Sequence, residues 1–177
     1  MNETAHLVQF LHADDRLVVA AARFVSDGLA AGDTCVVIAT PEHRRSIDSQ
    51  LLAKGLNPTA LSAEYRYIPL DARQMLATFF NSWTGIDSQR FHRHFGLLVS
   101  QASARGQPVR IFGELVGELV EQGWPSAAIE LEELWNELSR QYSFTMFCAF
   151  CVSSFTENPR YQHLLRGAHS QVLREED

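Results

Sequence analysis

Five short apolar runs, each separated from the next by a helical pattern, constrain this chain more than any other feature. They cover residues 6–11, 34–40, 65–70, 108–115 and 144–152. A β-branched run such as TCVVIAT has no polar side to offer water, so it belongs inside a parallel sheet covered on both faces. Between the runs, apolar residues recur at helical spacing: Leu17, Ala21, Phe24 and Val25; Phe91, Phe95, Leu98 and Ala102; Ile129, Leu134, Trp135 and Leu138. Alternating strands and helices, joined by right-handed crossovers, predict an α/β three-layer sandwich around a central, mainly parallel five-stranded sheet.

The punctuation agrees. Gly32, Gly55, Gly106 and Gly123 each follow a helical pattern, at the place where a left-handed residue ends a helix. Asp14 or Asp15 is expected to cap a helix reaching Ala31, Thr40-Pro41 to open one ending at Gly55, and Asp71 to cap one running through Phe80. Residues 81–87 read as a loop, 88–105 as a long helix, and the strand at 108–115 runs into a helix ending at Gln122. A short helix begins at Pro159, and the polar end SQVLREED is expected to fray. Without linker or repeat, residues 1–177 read as one domain.

Composition closes off several functions. A net charge of −6 disfavours direct binding to nucleic acid or anionic membrane. No apolar run approaches the ~20 residues needed to span a bilayer, and MNETAHLVQF lacks the regions of a signal peptide; the expected location is cytoplasmic. Three cysteines, Cys35, Cys148 and Cys151, are no disulfide framework.

Ligands of open α/β sheets bind beyond the carboxyl ends of the strands, which directs attention to His12-Ala13-Asp14-Asp15-Arg16. A phosphate loop needs glycines for a nest of N–H groups and a lysine for the phosphates. This turn has neither, and Lys54, the single lysine, lies at a helix end elsewhere. Asp14 and Asp15 read either as cap and dipole partners of the helix or, with His12 and Arg16, as the mouth of a pocket for a neutral or cationic ligand. Glu114, after the fourth strand, reads equally as helix N-terminal charge or as a ligand contact. Glu130, Glu133 and Glu137 form a solvated helix face, and Cys148 and Cys151, three apart on a strand, point to opposite faces as ordinary thiols. His92 and His94 diverge on their helix, and no serine sits in a nucleophile motif. No metal set and no cofactor is expected.

The ordered stretches FLHADDRLVVAAARFVSDGLAAGDTCVVIAT, LLAKGL, VRIFGELVGEL, AIELEELWNELS, FCAF and HLLRGAHSQVL, from about His6 to Leu173, resemble the MEDS domain, the sensory domain of methanogens, methylotrophs and a dichloromethane-responsive regulator. That family looks like a KaiC/RecA-like relative without a phosphate loop. The resemblance implies a RecA/KaiC-like sheet and a signal-input role through a small organic ligand. It matches Glu114, Glu133, Asn136, Cys148, Phe150 and His169 to family positions; Phe10 and Phe150 stand where relatives often carry Tyr. The expected function is a non-enzymatic sensory domain, with His12, Asp14, Arg16 and Glu114 lining the ligand site and Trp135 and Cys148 near it. The expected partner is a signalling protein such as a histidine kinase, response regulator or transcription regulator, with a homodimer left open. The alternatives are a degenerate nucleotide-binding protein and a pure interaction scaffold.

Overall fold

The computed structural model describes residues 4–156 and 159–174. Its elements follow the order β1 (Ala5–Leu11), α1 (Asp14–Ala31), β2 (Thr34–Ala39), α2 (Pro41–Ala53), α3 (Pro58–Ala63), β3 (Tyr67–Asp71) and α4 (Ala72–Ala77). A two-residue hairpin, β4 (Phe80–Asn81) and β5 (Gly85–Ile86), leads to α5 (Ser88–Ala102), β6 (Val109–Gly113), α6 (Leu115–Glu121), α7 (Pro125–Ser139) and β7 (Thr145–Cys151). A 3-10 turn (Val152–Phe155), α8 (Pro159–Ala168) and β8 (Gln171–Leu173) complete it. The main sheet has the order β3-β2-β6-β7-β1-β8, and every neighbouring pair is parallel.

Alternation along the central strands feeds two apolar layers. Val37, Ala39, Phe112, Phe147 and Ala149 face one way, against Leu17, Ala21, Val25, Ile47 and Leu51 of α1 and α2. Val36, Ile38, Ile111, Met146, Cys148 and Phe150 face the other way, against α4 to α8. The three-layer sandwich therefore stands as expected. Thr40 caps α2 by accepting from the His43 N–H at 3.2 Å, and Asp71 caps α4 by accepting from the Gln74 N–H at 3.0 Å. All four stop glycines hold positive φ.

Four details differ from the sequence reading. The sheet has six strands, because the segment expected to fray supplies β8. Its side chains are exposed, so burial gave no signal; backbone pairing with β1 holds it. The Ser170 N–H donates to the His6 carbonyl at 2.8 Å, and the His6 N–H donates to Ser170 Oγ at 2.9 Å. The loop at 81–87 contains the small hairpin, and α3, opened by Asn57 and Pro58, lies where no element was expected. Finally, neither Asp14 nor Asp15 caps α1: the N-cap is Ala13, without a side-chain bond, and both acids sit in the first turn.

Gly28, in the last turn of α1, packs tightly against β2 and β6. A Cβ there would lie 2.6 Å from Arg110 Cδ and 2.8 Å from Cys35 Sγ. Arg110 is held in place by Asp33 at 2.6 Å, and Cys35 is buried. Gly28→Ala should therefore lose about 1–3 kcal/mol despite the better helix propensity of alanine; an unchanged urea midpoint would contradict this packing.

Candidate functional site

The strand order has a switch point between β2 and β6. The chain leaves β2 into α2, on one face of the sheet, and leaves β6 into α6, on the other. Diverging exits open a crevice at the carboxyl edge, the usual ligand position in this architecture. A cavity of about 400 Å³ lies there, within the usual range for small-molecule sites.

Four strand ends build it. Asp14 comes from the end of β1, Thr40, Glu42 and His43 from the end of β2, Glu114, Glu118 and Glu121 from the end of β6, and Phe150, Cys151 and Phe155 from the end of β7, while α4 adds Arg73. Its centre is a clamp on His43. Nδ1 lies 2.7 Å from Glu114 Oε1 and Nε2 lies 2.9 Å from Asp14 Oδ2. Ionised carboxylates only accept, so both ring nitrogens donate and the imidazole is a cation. The hydrogen bond to Glu114 is the main cause, supported by the charges of Glu114 and Asp14 and opposed by burial; together they raise the His43 pKa to about 9. The second Glu114 oxygen accepts from the buried Thr40 N–H at 2.8 Å. Glu114, the N-cap residue of α6, thus ties β2 to β6 across the switch point.

The rest of the rim is acidic. Glu118 is buried and accepts from Arg73 Nε at 3.1 Å and from Gln122 Nε2 at 3.2 Å. Burial, then the charges of Glu118, Asp14 and Glu114, raise the pKa of Glu121. Five carboxylates against Arg73 and His43 give this crevice a negative field, the reverse of a phosphate cradle. One wall is apolar, made by Phe150 and Phe155 with ring centroids 5.9 Å apart.

The structure brings together two of the six residues expected at the ligand site, Asp14 and Glu114. His12 is exposed and lines neither this cavity nor the next one. Arg16 lines a separate groove of about 640 Å³ along α1, with Gln9, Phe24, Arg110 and Arg174. Trp135 is core, 1% exposed, stacked among Phe91, Phe95 and Phe144. Cys148 does not line the cavity. It lies in a buried group with His6, Glu132 and His169, whose ligating atoms all fall within 4.8 Å of one another. Cys151, three residues on and at the carboxyl end of β7, does line the cavity. Sequence reasoning missed His43, His6 and Glu132.

The fold is that of a KaiC-like α/β domain. A KaiC-like protein from the hyperthermophilic archaeon Pyrococcus horikoshii matches 97% of this chain and 74% of its own, with a TM-score of 0.62 and 14% sequence identity. Residues 5–166 match the family described as MEDS, the MEthanogen/methylotroph, DcmR Sensory domain, and the chain belongs to that family of sensory domains. No curated protein matches the chain. Among the described residues, no helix is long and apolar enough to cross a membrane.

Proposed function

We propose that this chain is a non-enzymatic sensory domain that binds a small neutral or cationic organic molecule in the carboxyl-edge crevice and relays occupancy to a signalling protein. One observation carries the reading: the Asp14–His43–Glu114 clamp occupies the switch point. A nucleotide enzyme of this architecture would place phosphate-binding N–H groups and a lysine at the end of the first strand. Here a triphosphate would meet Asp14, Glu42, Glu114, Glu118 and Glu121 instead. The apolar wall of Phe150 and Phe155 supports an organic ligand, with the carboxylates fixing its polar end.

Occupancy becomes a signal only if two conformations bind the ligand unequally. The crevice walls belong to opposite helical layers, α2 on one side and α6 with the 3-10 turn on the other. A ligand bridging them would favour one separation of those layers, and a histidine kinase, response regulator or transcription regulator docked on either layer would read it.

The test is thermal unfolding against a panel of small amines, alcohols, amides and neutral hydrocarbon derivatives. A true ligand at ~100 times its Kd should stabilise the fold by roughly 2.7 kcal/mol, and Glu114→Gln should abolish the shift. Micromolar binding of ATP with Mg²⁺, which the KaiC-like fold makes the competing reading, would overturn the proposal.

A further inference from the structure

The buried group around Cys148 has a chemistry independent of the crevice. His6 sits on β1, Glu132 on α7, Cys148 on β7, and His169 just after α8. The side chains of Glu132 and His169 are fully buried and that of His6 is 8% exposed. Among the described residues, the two Glu132 oxygens face only the two imidazoles, His6 Nε2 and His169 Nε2, and none of these contacts with neutral rings is a hydrogen bond. A buried carboxylate facing only neutral rings is costly, and the compensating charge is either a proton on His6, 3.2 Å away, or a metal cation held between the rings.

The outer hydrogen bonds fix the direction of both imidazoles. His169 Nδ1 lies 2.6 Å from the Leu165 carbonyl, which only accepts, so Nδ1 carries the hydrogen. Asn136 donates through Nδ2 to the Ala168 carbonyl at 2.9 Å, which turns its Oδ1 toward His6 Nδ1 at 3.0 Å; that nitrogen donates too. In their neutral forms both rings therefore aim an Nε2 lone pair at Glu132. His6 Nε2 is 3.2 Å from Oε2, His169 Nε2 is 3.4 Å from Oε1, and Cys148 Sγ is 3.5 Å from His6 Nε2. Tetrahedral zinc with bonds of ~2.0–2.3 Å requires ligand atoms ~3.3–3.8 Å apart.

We infer that His6, Glu132, Cys148 and His169 form a tetrahedral site for a divalent zinc-type ion. Two imidazoles, one carboxylate and one thiolate suit a borderline-soft ion and do not suit magnesium or calcium. The charges close: the ion's two positive charges meet one thiolate and one carboxylate. On binding, Sγ–metal bond formation displaces the thiol proton, which leaves to solvent. Protein atoms fill all four positions, so the ion is structural and no water is activated. It would staple the first strand, α7, β7 and the segment after α8 into one unit.

The test uses the full chain, stripped with chelator and then titrated with Zn²⁺ or Co²⁺. We expect about one equivalent retained through desalting, with a cobalt spectrum showing tetrahedral d–d bands and a sulfur-to-metal charge-transfer band. Cys148→Ser should erase that band. Asn136→Ala, which touches only the outer hydrogen bond, should weaken affinity ~10–100-fold. His163→Ala, an exposed histidine on α8, should change nothing. A wild-type chain that retains neither metal, or that binds cobalt without the sulfur band, overturns the assignment whatever the variants do. Neither result bears on ligand binding in the crevice.

Discussion

Trp135→Ala should lower the unfolding free energy by about 3–5 kcal/mol, a large share of the ~5–15 kcal/mol that holds a domain together. The indole is 1% exposed, and its ring centroid lies 4.6 Å from that of Phe95 and 5.0 Å from that of Phe91. Truncation would leave a cavity between α5 and α7 that rigid aromatic neighbours cannot fill. Trp135→Phe should cost much less. The indole N–H has no hydrogen-bond partner among the described residues, and removing an unpaired buried donor returns roughly 1–3 kcal/mol against the lost volume. Urea unfolding of the two variants separates packing from polarity. Equal losses would mean that the N–H matters, and a small loss for alanine would mean that the core repacks.

Glu114→Ala should cost about 2–4 kcal/mol at neutral pH, because it strands the buried Thr40 N–H and half the clamp on His43. It should also change the pH dependence. His43 has its pKa raised from 6.5 to about 9, so the folded state binds its proton more tightly than the unfolded state does. The resulting stability is fully present below about pH 6.5 and is lost as pH rises through about 9. Its size is about 1–3 kcal/mol, allowing for screening at a partly exposed ring. In Glu114→Ala only the exposed Asp14 still faces the ring, and the alkaline decline should flatten. Denaturation from pH 6 to pH 10 reads both effects. A wild-type curve without the decline would remove the clamp from this description.

The strands and stops were legible because each rests on local chemistry: β-branched runs, glycines at helix ends, Thr40 with Pro41, and Asp71. β8 was not legible, since three exposed residues hold their place by pairing with a strand some 164 positions away, with Ser170 and Gln9 side chains tying the segment's ends. Half of the crevice followed from one rule, that strand carboxyl ends hold ligands. Applied to β1 and β6 it found Asp14 and Glu114. Applied to β2 it would have found His43, in the first turn after the Thr40 cap. Glu132 was hidden by its neighbours. Glu130, Glu133 and Glu137 do form the exposed face of α7, yet Glu132 lies four residues after Ala128 and three before Trp135, inside the buried stripe. An acid at a core position was the available signal, and its partners, His6 and His169, lie too far along the chain for spacing to join them.

The place of β1 has a kinetic consequence. Of the strands in this sheet, β1 is made first and pairs only with β7 and β8, the two made last. At ~5–20 residues per second, β1 waits on the order of ten seconds for its neighbours, while β2, β3 and β6 can already associate. Refolding of the whole chain should therefore be slow for its size, as late, long-range closure dictates, and amides of Leu7 to Leu11 should be the last to gain protection in pulse-labelled exchange.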